Sequence, residues 1–136
     1  QVIIARSAME TEDWTRARTA YTEVLKVAQG KLAAEALYRL AYFKHLDREY
    51  EASNQDIQRL ASEYSGYKEY GARGLILMAR NFYALEDSFQ ATYILESVIT
   101  NFEEFPEIVE EASTELKVIK AAEAKTNSSV DTEGKQ

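Results

Sequence analysis

Cysteine is absent from this chain, proline occurs once, and glycine occurs five times in 136 residues. The missing thiols exclude disulfides, thiolate metal sites and cysteine nucleophiles, and leave the redox compartment open. Scarce proline and glycine mean few helix breakers, so helices can propagate. No run approaches the roughly 18–20 consecutive apolar residues that span a bilayer. The longest, Leu75 to Ala79, has the length of a core-helix segment. His45 is the single histidine, so a metal site or a triad has no second member. Glycine-rich phosphate loops, a Gly-x-Ser-x-Gly elbow and a carboxylate pair in an apolar cleft are also missing. No residue is therefore nominated as catalytic, cofactor-binding or metal-binding, and no cofactor is expected.

Acid outweighs base, 23 Asp and Glu against 16 Lys and Arg, for a formal charge of −7. The segment after Ala124 is neutral, with Lys125 and Lys135 against Asp131 and Glu133, so the excess acid falls on the preceding body. Such a body repels a phosphate backbone, which argues against nucleic acid. A neutral or basic peptide is the easier partner. The acidic set Glu103, Glu104, Glu107, Glu110 and Glu111 lacks the glycine-containing turn of a calcium loop and reads as helix-dipole complement plus a solvated face. The chain opens with Gln1 and the apolar Val2-Ile3-Ile4-Ala5, without a basic leader or cleavage site. That opening reads as a cut through a longer protein.

What the chain does contain is repetition. Asp13-Trp14-x-x-Ala17, Tyr50-x-Ala52-Ser53 and Phe89-x-Ala91-Thr92 each place an aromatic at a helix start with a small residue close behind. The aromatics are 36 and 39 residues apart. A second echo, Tyr64-Ser-Gly-Tyr67-Lys-Glu-Tyr70 against Phe102-Glu-Glu-Phe105-Pro-Glu-Ile108, recurs at 38 residues. Periods of 20–50 residues mark stacked supersecondary units.

Apolar spacing is helical throughout. Trp14, Ala17, Tyr21, Val24, Leu25 and Ala28 form one stripe, and Gly30 closes that helix. Further helices are expected over 32–46, 50–64, 67–85 and 89–102, joined in pairs by the short turns Asp47-Arg48-Glu49 and Glu86-Asp87-Ser88. Pro106 at a first helical position, with Glu107, Glu110 and Glu111 behind it, starts a last helix that runs to about Ala124. Its stripe of Ile108, Ala112, Leu116, Ile119 and Ala122 suits a closing cap. Residues 125–136 have almost nothing to bury and read as a disordered polar tail.

These residues resemble the tetratricopeptide repeat (TPR), whose unit is two antiparallel helices of about 34 residues with an aromatic and small-residue signature. Trp14, Tyr50 and Phe89 match the large residue opening the second helix, Ala17, Ser53 and Thr92 the small one, and Tyr21 and Ile57 the next large one. In the first helices, Ile4, Leu40 and Ala79 fall at the leucine position, and Ala5, Ala41 and Arg80 at the glycine position. The likeness covers about residues 1–124. It departs from the pattern at Glu96, where an aromatic belongs, at Arg80, where a small residue belongs, and in lacking terminal prolines. Its long intervals look more like the repeats of bacterial cell-envelope proteins, such as the coordinator protein of the Tol–Pal system and the barrel-assembly lipoproteins. A HEAT-type array, with units of roughly 40–47 residues, is the competing architecture.

The resemblance implies an all-α, right-handed superhelical solenoid of about seven helices. Its units are 1–30, 31–66 and 67–104, with a closing helix at 105–124. It also implies a concave groove lined by the first helix of each unit. By position the groove residues are Arg6 and Met9, then Glu35, Tyr38, Tyr42 and His45, then Leu77, Asn81 and Ala84. Tyr38, Tyr42, His45, Leu77 and Asn81 are the peptide-binding candidates, the tyrosines offering apolar area and a directional hydroxyl. The expected function is a non-catalytic, protein-binding scaffold module, the C-terminal part of a larger envelope protein. The alternative is purely structural: the repeats stack on upstream units or self-associate through Val2, Ile3 and Ile4.

Overall fold

A computed structural model describes residues 2–134, with side chains described from 2 to 127. It is all-α among these residues, with seven helices and no strand. They are α1 (Val2–Glu10), α2 (Trp14–Val27), α3 (Lys31–Leu46), α4 (Tyr50–Glu63), α5 (Lys68–Ala84), α6 (Ser88–Asn101) and α7 (Pro106–Gly134). Each packs on the next in sequence, and α3 also meets α5, as α5 meets α7. No helix is long and apolar enough to cross a membrane.

One turn recurs three times. Glu12, Arg48 and Glu86 take positive φ of 58°, 64° and 65°, just past the ends of α1, α3 and α5. In each case the following N–H reaches back to a carbonyl five residues earlier. The three bonds, Asp13 to Ala8, Glu49 to Lys44 and Asp87 to Phe82, all measure 2.8 Å. A left-handed residue closed by such a bond satisfies the orphan carbonyls of a helix end and turns the chain sharply into the next helix. Asp13 and Asp87 then cap α2 and α6 by accepting from the N–H of Arg16 and Gln90. The linkers between hairpins repeat as well. Tyr64 and Phe102 share nearly the same backbone angles, φ −124°, ψ 37° and φ −126°, ψ 40°.

These turns set the intervals at 36 and 38 residues, and 38 corrects the 39-residue alignment of the third unit. With that register, Ala5, Ala41 and Ala79 occupy one slot and Ala17, Ser53 and Ala91 another, all at 0% exposure. Tyr21, Ile57 and Leu95 fill a third, and all three are fully buried. The residues that break the family pattern, Arg80 and Glu96, are therefore not in those slots. Phe89 misleads the sequence alignment: Ser88 opens α6, and Phe89 is 79% exposed. The small residues let helix backbones approach, while each large side chain adds about 1.5–3 kcal/mol on burial. The last helix continues past Ala124, and Lys125 to Asn127 on it are exposed.

Candidate functional site

Among the first helices of the hairpins, α3 packs on α5 and is joined to α1 through Arg6, and their polar residues gather into two centres. The first is Glu35 on α3. Its carboxylate is 5% exposed and takes a forked pair from Arg6, Nε at 3.0 Å and Nη2 at 2.6 Å. The Tyr21 hydroxyl donates to it at 2.9 Å and that of Tyr70 at 3.4 Å. One side chain thus ties α1, α2, α3 and α5 together. The hydrogen bonds from Arg6 hold the carboxyl below the usual carboxylate range, against the opposing effect of burial. Burial, helped by Glu35, pushes Tyr21 up to about 12, and Tyr70 is raised for the same reasons.

Beside this carboxylate, Arg6, Met9, Glu10, Tyr21, Glu35, Arg39 and Tyr70 line an open depression of about 350 Å³. Arg39, one turn after Glu35, lies over the Tyr38 ring with its guanidinium carbon 5.4 Å from the centroid. Its Nε is buried without a hydrogen-bond partner. A buried unpartnered donor is costly, about 1–3 kcal/mol, although the Arg39 charge still acts on Glu35 and so helps to hold that carboxyl ionised. Tyr38 is half-buried against Tyr70, rings 6.2 Å apart, and burial raises its hydroxyl pKa.

The second centre is Asn81 on α5, which is 0% exposed. Its Nδ2 donates to Ser53 Oγ and Asn54 Oδ1, both at 2.8 Å, and Ser53 in turn donates to the Ala41 carbonyl. With both amide hydrogens committed, Asn81 Oδ1 is the acceptor facing His45 Nδ1 at 2.7 Å. The imidazole therefore carries its proton on Nδ1. His45 also sits edge-on to Tyr50 at 5.7 Å.

Of the five sequence candidates, Tyr38, Tyr42 and His45 are half-buried on the seam of α3. Leu77 and Asn81 are enclosed, at 1% and 0% exposure. Leu77 packs with Ala41, Ile57 and Met78, and Asn81 with α4. The 38-residue register explains the displacement: the α5 counterparts of Tyr42 and His45 are Arg80 and Tyr83, both half-buried. Arg80 bonds to Glu115 at 2.8 Å and Glu111 at 2.9 Å on α7. Tyr42 is occupied with Trp14, 6.2 Å away edge-on. Of the remaining groove positions, Met9 is half-buried and Ala84 exposed. Arg39, Tyr21 and Tyr70 were not singled out from sequence. The spacing of Glu35 and Arg39, one helical turn, was the available signal.

Charge is segregated. Helices α1, α3 and α5 carry seven Lys and Arg against three Glu, within a chain of −7. The acid is concentrated in the turns and on α7 instead. No protein-family model matches the chain, and no curated protein does.

Proposed function

We propose that this chain is a non-catalytic, protein-binding scaffold module. In this reading it consists of TPR-like repeats wound as a right-handed solenoid. Its first-helix face receives a segment of a partner chain. The observation that carries the reading is Arg39, whose buried Nε has no partner, beside an open depression with Arg6 and Tyr70 around it. Net charge favours a basic partner, but net charge is set by the turns and α7. The face itself is rich in arginine, so an acidic segment is the complement, its carboxylates accepting from guanidinium and its side chains lying on Tyr38 and Tyr70. Glu35 is a poor general acid or base here, being held ionised and already bonded by three donors.

The test is capture from extract by wild type and by Arg39→Gln, with retained proteins identified by mass spectrometry. Arg39→Gln is preferable to truncating Tyr38 and Tyr42, whose rings pack against the α3 and α5 core. An acidic partner retained by wild type and lost by a folded Arg39→Gln supports the face. Identical retention by both, or none by either, removes it.

A second reading, stacking without a groove, is favoured by the apolar residues left open on the first hairpin. Ile3 is 79% and Val27 80% exposed. It predicts concentration-dependent self-association that Ile3→Glu abolishes, as read by sedimentation.

A further inference from the structure

The chain closes two junctions between successive hairpins, and it closes them unequally. At the first, α3 lies against both α2 and α4. Its Ala33 and Leu37 are 0% and 1% exposed, and Leu25 and Tyr64 pack over the cluster that contains Leu37. At the second, α5 lies against α4 and α6, and the matching positions hold Gly71 and Leu75, both only half-buried. The position of Leu25 is taken there by Ala61, which is exposed. An open pocket of about 330 Å³ lies at this junction. A methyl added at Gly71 would meet nothing within 4 Å.

At the first junction the matching positions carry a leucine and an alanine, and Tyr64 and Tyr70 pack there as well. The open junction keeps apolar walls, with Ile57, Leu60, Leu75 and Phe102 facing the space. Lys68 is the single charged residue on the lining, and no acid accompanies it. Lys68 forms no salt bridge among the described residues. Ser65 and Asn101 add neutral donors beside it.

We infer that this cavity is a binding site for an apolar chain or ring bearing one anionic group, a medium-chain carboxylate being the simplest member. The walls remove the apolar body from water, and the Lys68 ammonium, with the neutral donors, receives the head. Its lining shares no residue with the Arg39 depression, so it stands or falls separately from peptide binding.

The probe is decanoate below its micelle concentration, titrated into ¹⁵N-labelled protein and followed by amide shifts, with decanol as the neutral control. Saturable shifts should centre on Ala61, Gly71 and Asn101, and decanoate should bind more tightly than decanol. The double variant Ala61→Leu/Gly71→Ala writes the first junction's residues into the second. It should lose decanoate affinity by about tenfold or more while melting at a higher temperature. Lys68→Gln leaves the walls intact; it should weaken decanoate about fivefold and leave decanol unchanged. Shifts centred elsewhere, no saturation in wild type, or unchanged affinity in the double variant would each overturn the site. Equal binding of decanoate and decanol overturns the anionic half of the inference. If the double variant unfolds, the Lys68→Gln and decanol comparison decides alone.

Discussion

Glu35 and Asn81 are polar side chains enclosed by the same first helices, and the chain treats them in opposite ways. Glu35 is charged, and its main partner, Arg6, keeps 54% of its side chain in solvent. Asn81 is neutral, and the two acceptors of its amide hydrogens, Ser53 and Asn54, are themselves buried. The difference follows from desolvation. An ion pair sealed away from water costs several kcal/mol per charge, so the carboxylate sits where its counter-charge still meets water. A neutral amide whose hydrogens and carbonyl are all bonded carries no such penalty and can be sealed in. The charged centre therefore lies where solvent reaches, and the neutral amide lies between the hairpins.

The largest expected effect breaks the sealed centre. Asn81→Leu preserves approximate size but strands Asn54 Oδ1 and removes the bond to Ser53. It should cost about 3 kcal/mol in urea unfolding. A loss under about 1 kcal/mol would mean that water already reaches this network, and the contrast between the centres would collapse. The next effect breaks the open centre. Glu35→Gln removes the acceptor of a charged fork and two hydroxyls, and should cost about 2 kcal/mol by the same measurement. Equal losses for the two variants would also erase the distinction.

Much of this was legible in the sequence, and the part that was not turns on one residue. Of the six helix starts expected from apolar periodicity, short turns and Pro106, those at Trp14, Tyr50 and Pro106 match, and those at Leu32, Tyr67 and Phe89 fall one residue from Lys31, Lys68 and Ser88. The α3 candidates Tyr38, Tyr42 and His45 are half-buried, and the register from which they were chosen holds because Trp14 and Tyr50 do open their helices. On α5 the aromatic Phe89 was matched to Tyr50, although Ser88 holds that position. That slip rotates the α5 face by one residue, about 100°, and turns Leu77 and Asn81 outward in place of Arg80. The left-handed residues that fix the true interval, Glu12, Arg48 and Glu86, have ordinary side chains. Glycine or asparagine there would have announced the turn. The Glu35 cluster assembles residues from four helices, and pairing over such distances in sequence leaves no local signature.

The pH dependence sharpens the contrast further. Glu35 has a folded-state pKa below its unfolded value, chiefly through Arg6. Its contribution is therefore present above the unfolded pKa, near about 4.3, and is lost as pH falls through the folded value. Wild-type unfolding free energy should decline as pH falls through the carboxylate range, and Glu35→Gln should remove Glu35's share of that slope. Asn81→Leu should lower the whole curve and leave its slope intact. An unchanged acid slope in Glu35→Gln would show that other carboxylates carry all of it.

The smallest effect tests whether Arg39 is as free as its missing bond implies. Arg6 is more than half exposed, and exposed pairs are worth about 0–1 kcal/mol. Arg6→Gln should thus cost under about 1 kcal/mol, because Tyr21 and Tyr70 still donate to Glu35 and Arg39 stands one helical turn away to take over the charge. A loss nearer 3 kcal/mol would mean that the carboxylate is left uncompensated and that Arg39 cannot move toward it. A double-mutant cycle with Arg39→Gln separates these cases. If Arg39 substitutes for Arg6, the double variant loses more than the sum of the single losses. If Arg39 is fixed where it lies over Tyr38, the losses add, and its guanidinium remains committed to the depression rather than to Glu35.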